Sequence, residues 1–174
     1  NKVMCLGEDL GLKQYTQDTD SIHIDYDEVK ILGDEYNKKY KTELIGNDMG
    51  QFHIDFDLDN SVGDIWATDS IFLGKKCYID KLESRDKDNK PIYGHHIRMK
   101  GITHSSIDYT ANKDFGGDVL KMYEHLFNGK SVQFDLLCGG TKDMFKSEKD
   151  MTIRTMKCGE FSREVSFKYD IGVF

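Results

Sequence analysis

At 174 residues, with 38% hydrophobic and 32% charged positions and a formal net charge of −7, the chain has room for one ordinary domain or two small ones, with a modest core under a very polar surface. Nine Tyr and ten Phe exclude a disordered chain. No apolar run approaches the roughly 18 residues of a membrane span and no basic-then-apolar leader is present, so neither a transmembrane segment nor a signal peptide is expected.

Val3–Leu12 reads as the tail of a helix stopped at Gly11. Lys13–Gln17 and Ile22–Tyr26 read as two strands of a hairpin. Asp25 is placed to cap a second helix, with Glu28 three residues on completing a capping box. Val29, Leu32, Tyr36, Tyr40 and Leu44 follow at the spacing of one buried face, and Gly46 is the expected stop. Met49–Leu58 alternates loosely and reads as a strand, with Asp55, Asp57 and Asp59 on a solvated face. Ile65–Leu73 is a short apolar run carrying the single Trp, Trp66. Lys75–Leu82 and Ile92–Ile102 read as a long hairpin, with a polar tip that ends at the only proline, Pro91. A polar, Ser/Thr-rich stretch, Gly101–Asn112, marks the weakest boundary. Phe115–Asn128 is the best later helix, and Ser131–Leu137, Met151–Met156 and Phe161–Phe167 are strand candidates. Gly139 and Gly140 are read as a turn, because Cys138-Gly-Gly-Thr-Lys142 is too short for a phosphate-binding Walker loop.

The four cysteines, Cys5, Cys77, Cys138 and Cys158, form no C-x-x-C pair. Neither zinc nor a disulfide framework is expected, and an intracellular, reducing compartment is the default. His23, His53, His95, His96, His104 and His125 are read as core or surface residues rather than ligands. Asn1 rather than Met stands first, so a fragment or a processed product is expected.

Two constellations carry chemistry. The first is Gln17-Asp18-Thr19-Asp20-Ser21 at the join of the first two strands. If the chain stays extended there, the period of two puts the Asp18 and Asp20 carboxylates on one face, with Thr19 pointing away. Ser21 then braces the turn through a hydroxyl–backbone bond. Two hard oxygen donors held this way suit Mg²⁺ (or Mn²⁺) carrying phosphate groups; a plain solvated turn of the same composition is the competing reading. The second constellation is Lys75-Lys76-Cys77-Tyr78. On a strand Lys76 and Tyr78 share a face, where an ammonium beside a phenol suits a sugar–phosphate backbone; a strand edge guarded by lysines is the competing reading. Charge is segregated along the chain. Residues 1–74 hold 6 Lys+Arg against 16 Asp+Glu and residues 75–174 hold 18 against 15, with eight basic and four acidic residues between Lys75 and Lys100.

Taken in this order, the two constellations resemble the C-terminal palm and thumb of family B DNA polymerases, most closely the protein-primed branch of phages, linear plasmids and adenoviruses. Asp18-Thr19-Asp20-Ser21 matches the core of that family's third polymerase motif, and Lys76-Cys77-Tyr78 matches its Lys-x-Tyr motif. The run Ile97-Arg-Met-Lys-Gly-Ile-Thr103 resembles the passage from palm to thumb. Thr16 stands where the family usually has Tyr, with Tyr15 one place earlier. The resemblance implies an α+β fold: an antiparallel palm-type sheet with helices on one face (residues 1–102), then a small mixed thumb (residues 103–174). It implies Asp20 as a direct ligand of catalytic Mg²⁺ or Mn²⁺ and Asp18 as a shaping, less direct one, with Thr19 and Ser21 supporting the motif. Lys76 and Tyr78 would hold the primer terminus, with Lys75 as a further phosphate contact.

The implied reaction is in-line attack of a primer 3′-hydroxyl on the α-phosphate of a nucleotide, with two-metal assistance. The implied partners are primer–template DNA, dNTP, a terminal priming protein and the remaining polymerase domains in cis or in trans, with no membrane. The family's earlier palm aspartate, its fingers helix and its proofreading domain are not found in this sequence, so little or no activity is expected from the chain alone. The alternative is a non-catalytic DNA-binding or scaffold module derived from a polymerase, which would bind DNA with steep salt dependence and indifference to Mg²⁺. An unrelated acidic, Ca²⁺-binding domain and an RNA-copying polymerase are weaker rivals.

Overall fold

The computed structural model describes residues 1–135, 144–147, 153–156 and 162–168. The protein is α+β. Its elements run α1 (Lys2–Asp9), β1 (Gln14–Asp18), β2 (Ser21–Ile24), α2 (Tyr26–Tyr40), β3 (Trp66–Gly74), β4 (Cys77–Arg85), β5 (Pro91–Met99), α3 (His104–Asp114), α4 (Val119–Phe127), β6 (Val132–Asp135), β7 (Met144–Ser147), β8 (Ile153–Met156) and β9 (Ser162–Val165). Strands β3, β4 and β5 form a three-stranded antiparallel sheet with β4 in the middle, and β1–β2, β6–β9 and β7–β8 form separate pairs. None of the described helices is long and apolar enough to cross a membrane. The turn expected at Gly139 and Gly140 lies outside the described residues.

The chain divides into two compact units, Asn1–Thr68 with Lys81–Gly94, and Asp69–Asp80 with His95–Phe174. Each of β3, β4 and β5 therefore contributes residues to both.

In the first unit, Leu6, Leu32 and Leu44 form a small buried cluster, joined by Val3, Leu12, Ile24, Tyr36, Tyr40 and Phe52. Helix α1 ends where Gly11 takes φ 70°, a left-handed conformation that costs glycine nothing in Cβ contact, and the Leu12 N–H closes back onto the Gly7 carbonyl at 2.9 Å. Helix α2 begins after Asp25, as expected, but the capping box does not form. The two carboxylates turn back to the preceding chain instead: Asp25 Oδ1 accepts from the hydroxyl of Tyr15 on β1 at 2.8 Å, and Glu28 Oε2 from the N–H of Lys13, just before β1, at 3.0 Å. The helix stops at Tyr40, where Lys41 turns left-handed at φ 59°, and not at Gly46. Leu44 keeps its place in the core from the following loop. Met49–Leu58 is not a strand: the segment makes one isolated bridge, Ile45 with Phe52, and no neighbouring strand pairs with the rest. Its apolar residues fare differently: Phe52 packs against the small core and Phe56 meets the His23 ring at 6.5 Å, while Met49 and Ile54 stand exposed.

The second unit holds the larger core. Leu73, Cys77, Ile79 and Met99 from the sheet meet Ile102, Ile107, Met122, Tyr123, Leu126, Val132 and Phe134. A fully buried side chain of this kind stabilises the fold by about 1.5–3 kcal/mol. The polar stretch Gly101–Asn112 holds helix α3, capped by Thr103, whose hydroxyl accepts the Ser106 N–H at 3.3 Å. Its buried face is Ser106, Ile107, Thr110 and Ala111, of which Ile107 joins the core. Helix α4 starts at Val119 rather than Phe115, because Gly116 and Gly117 sit at φ 65° and 83° and break the run. Strand β6 pairs antiparallel with β9, from Val132 opposite Val165 to Asp135 opposite Ser162. Strand β7, not anticipated, pairs with β8 from Met144 opposite Met156 to Ser147 opposite Ile153.

Candidate functional site

The Asp18–Asp20 motif occupies the β1–β2 hairpin. Asp18 faces Ser21, Gln17 faces Ile22 and Thr16 faces His23; the register shifts between Gln14 and Thr16, which makes Tyr15 a bulged residue. The Tyr15 ring stands exposed under the Lys13 ammonium at 4.6 Å, and its hydroxyl is engaged by Asp25.

The register leaves Thr19 and Asp20 as a two-residue tip. The extended geometry expected through the motif is therefore corrected. Asp18 closes β1, half-buried, while Asp20 lies exposed in the turn, so strand alternation does not align the two carboxylates. What holds them near one another is a tight turn. The Asp20 N–H donates to the Asp18 carbonyl at 2.7 Å around Thr19, which sits at φ 57°. The Thr19 hydroxyl donates to Asp18 Oδ1 at 3.1 Å, and the Ser21 hydroxyl donates to the Asp18 carbonyl at 3.1 Å, the brace expected of it. A β-branched residue at positive φ is a backbone outlier that costs about 1–3 kcal/mol.

The residues present fit a share of a Mg²⁺ or Mn²⁺ site. Such ions take one or two carboxylates and fill the rest of their shell with waters and substrate phosphates. Asp18 and Asp20 offer two carboxylates at a water-accessible tip. Among the described residues no group of three or more His, Cys, Asp or Glu gathers as a self-sufficient metal cage.

The Lys-x-Tyr motif lies in the other unit, at the β3–β4 hairpin. Here too the turn corrects the strand picture. Lys75 and Lys76 are the two exposed tip residues, Lys76 at φ 59°, and only Cys77 and Tyr78 lie on β4. Lys76 and Tyr78 are thus a turn residue and a strand residue, and do not share a face by alternation. The Lys76 carbonyl accepts the Lys100 N–H at 2.9 Å, which brings a third exposed lysine, Lys100, to this end of the sheet. Sequence reasoning counted Lys100 only as part of a basic run; its place at the tip depends on where β5 ends and could not be read from spacing.

Between the lysine and the tyrosine, Cys77 turns inward to the core, and burial pushes its thiol up to about 11. It is a packing residue without nucleophilic character at neutral pH. Tyr78, half-buried, lies on the opposite side of β4, with the Phe72 ring at 5.9 Å and the His96 ring at 5.7 Å. His95 and His96 do diverge, as neighbours on a strand must: His95 is exposed and His96 turns to the Asp80 carboxylate at 3.1 Å.

No protein-family model, curated protein or solved structure matches the chain.

Proposed function

We propose that this chain is the C-terminal palm and thumb portion of a DNA-directed DNA polymerase of the family B, protein-primed type, with the palm part ending near residue 102. The observation that carries the reading is the β1–β2 tip. Two carboxylates flank a threonine held at φ 57°, where glycine or asparagine would sit without strain. Strain kept at a water-accessible acidic tip is the kind found at functional sites. The match of Asp18-Thr19-Asp20-Ser21 and Lys76-Cys77-Tyr78 to that family's motifs supports it, as does the lysine cluster of the β3–β4 tip.

On this reading Asp20, the more exposed carboxylate, and Asp18, fixed by Thr19 and Ser21, hold Mg²⁺ or Mn²⁺. When bound, the ion supplies charge neutralisation and Lewis acidity at phosphate oxygens. The chain's own residues position and screen. Lys75, Lys76 and Lys100 offer ammonium groups to the primer phosphates, and Tyr78 presents a phenol beside them. Cys77 anchors β4, the strand that carries Tyr78. The gain from such residues is orientation and electrostatic preorganisation rather than covalent chemistry. The substrates are primer–template DNA and dNTP. The other palm carboxylate and the nucleotide-gripping fingers come from remaining polymerase domains in cis or in trans, and a terminal protein is the proposed primer.

The test uses the chain joined to, or mixed with, those remaining domains. Asp20→Asn is expected to lower nucleotide incorporation by at least about 10²-fold while primer–template affinity stays within a factor of about two. Near-normal incorporation by the variant would sink the ligand assignment. DNA binding indifferent to both Mg²⁺ and Asp20, with no incorporation under any reconstitution, would favour a non-catalytic DNA-binding module instead.

A further inference from the structure

Within the second unit the sheet has two chemically different faces. Ile71, Leu73, Cys77, Ile79, Ile97 and Met99 turn to the apolar core. Ser70, Phe72, Tyr78, Asp80 and His96 meet one another, linked by hydrogen bonds and ring contacts. At the centre of this second set is Asp80, on the middle strand, with 0% of its surface exposed. Its Oδ1 accepts from the Ser70 hydroxyl at 2.7 Å, and its Oδ2 lies 3.1 Å from His96 Nδ1.

A buried carboxylate is an expensive way to hold a sheet together. Taking it out of water costs several kcal/mol, and an apolar replacement of similar volume is often as stable or more so. What a fixed carboxylate does supply is direction. An imidazole bonded through Nδ1 to an acceptor on the adjacent strand has its ring orientation set. The ring so held stands edge-on to Tyr78, with centroids 5.7 Å apart and planes at 64°. Phe72 meets Tyr78 from the other neighbouring strand at 5.9 Å. The chain Ser70–Asp80–His96 therefore ends on the ring of the one aromatic residue in the Lys-x-Tyr motif.

We propose that Asp80 and His96 are positioning residues for Tyr78, fixing the direction of its phenol for contact with the terminal nucleotide of a bound primer. The inference rests on the primer-end reading of Lys76 and Tyr78. Asp80 and His96 touch no substrate; they act through the tyrosine ring. Their role is separable from that of the lysines, which set how tightly the duplex is held.

Two readouts on the 174-residue chain test this. The first needs no DNA: the NMR signal of the Tyr78 ring in ¹³C-tyrosine-labelled protein, assigned with Tyr78→Phe. His96→Phe keeps a ring but breaks the bond to Asp80, and it is expected to shift the Tyr78 signal and speed its ring flips. Ser70→Ala loosens Asp80 from an exposed position and is expected to move the signal in the same direction. The second readout is photocrosslinking to a duplex with 5-iodouracil at the primer 3′ end. Wild-type protein is expected to crosslink at Tyr78, and His96→Phe to lose the crosslink by on the order of tenfold with duplex affinity unchanged. An unmoved Tyr78 signal in folded His96→Phe overturns the proposal. Should that variant not fold, an unmoved signal in Ser70→Ala overturns it equally. A crosslink present in wild type and undiminished in the folded variants overturns the positioning role alone. A wild-type chain that binds duplex but never crosslinks at Tyr78 overturns the primer-end reading, and the proposal with it.

Discussion

At the scale of single residues, the tip of the β1–β2 hairpin concentrates the argument. Thr19 is held at φ 57° by the Asp20 N–H to Asp18 carbonyl bond on one side and its own hydroxyl bond to Asp18 Oδ1 on the other. Thr19→Gly would remove the Cβ contact that makes this conformation costly, and offset part of the gain with the greater freedom of glycine in the unfolded chain. The expected outcome is a net stabilisation of about 1 kcal/mol, read as a higher midpoint in urea denaturation. The same change deletes the hydroxyl that fixes Asp18, so on the proposed polymerase reading Mg²⁺-dependent nucleotide incorporation by the reconstituted protein should fall while stability rises. A variant that is less stable would show that the turn is not strained. The residue types of this site were legible in the sequence, and so was the Ser21 brace. The hairpin was legible too, from the strand-like runs on either side of the motif; its two-residue tip at Thr19 and Asp20 was not, because Thr-Asp lacks the Asn-Gly or Asp-Gly signal that marks such a loop, so alternation was carried through the point where the chain reverses. The same error recurs at Lys75 and Lys76, again because neither residue favours the positive φ that Lys76 adopts.

At the scale of elements, the helices separate what local signals decide from what packing decides. Helix α4 is set locally. Asp118 caps it, Oδ1 accepting the Lys121 N–H at 3.1 Å, and Val119, Met122, Tyr123 and Leu126 give the buried stripe. That backbone hydrogen bond holds the Asp118 carboxyl below its usual range. A depressed carboxylate stabilises the fold at pH values above the range of an unfolded aspartate, and the contribution disappears as pH falls through the folded value. Asp118→Ala should cost about 1 kcal/mol at pH 7 and less at pH 2, where the neutral carboxyl keeps the hydrogen bond but loses its charge, measured by urea denaturation of both proteins at each pH. An equal deficit at both pH values would mean that the hydrogen bond alone, and not the charge, carries the cap. Helix α3 is the opposite case. Its buried face of Ser106, Ile107, Thr110 and Ala111 carries too few large apolar residues for the periodicity to register. It forms with Thr103 as its cap and with Ile107 packed into the core that holds Phe134. Met49–Leu58 fails for the reverse reason. Its alternation is adequate, but a strand needs a partner, and beyond the single Ile45–Phe52 bridge none is supplied. Pairing is a property of the assembled chain and is not written in a segment.

At the scale of the whole molecule, a net charge of −7 opposes the approach of DNA, so any affinity must come from local arrangement. Three lysines meet where the β3–β4 turn is tied to the end of β5 through the Lys100 N–H and the Lys76 carbonyl. Phosphate contacts release condensed counterions, so the logarithm of the binding constant falls with the logarithm of salt concentration by about 0.9 per phosphate neutralised. If Lys75, Lys76 and Lys100 each neutralise one phosphate, replacing all three with alanine should flatten that slope by about 3. The loss of affinity should be nearly the same on every duplex sequence, because phosphate contacts position without reading bases. The measurement is fluorescence anisotropy of a labelled primer–template across a salt series, for wild type and the triple variant. Tyr78→Phe serves as the comparison: it removes a hydroxyl but no charge, so it should leave the slope alone and act only on what happens at the primer end. A slope unchanged in the triple variant, with binding intact, would place the DNA contacts elsewhere on the chain and detach the Lys-x-Tyr match from the function drawn from it.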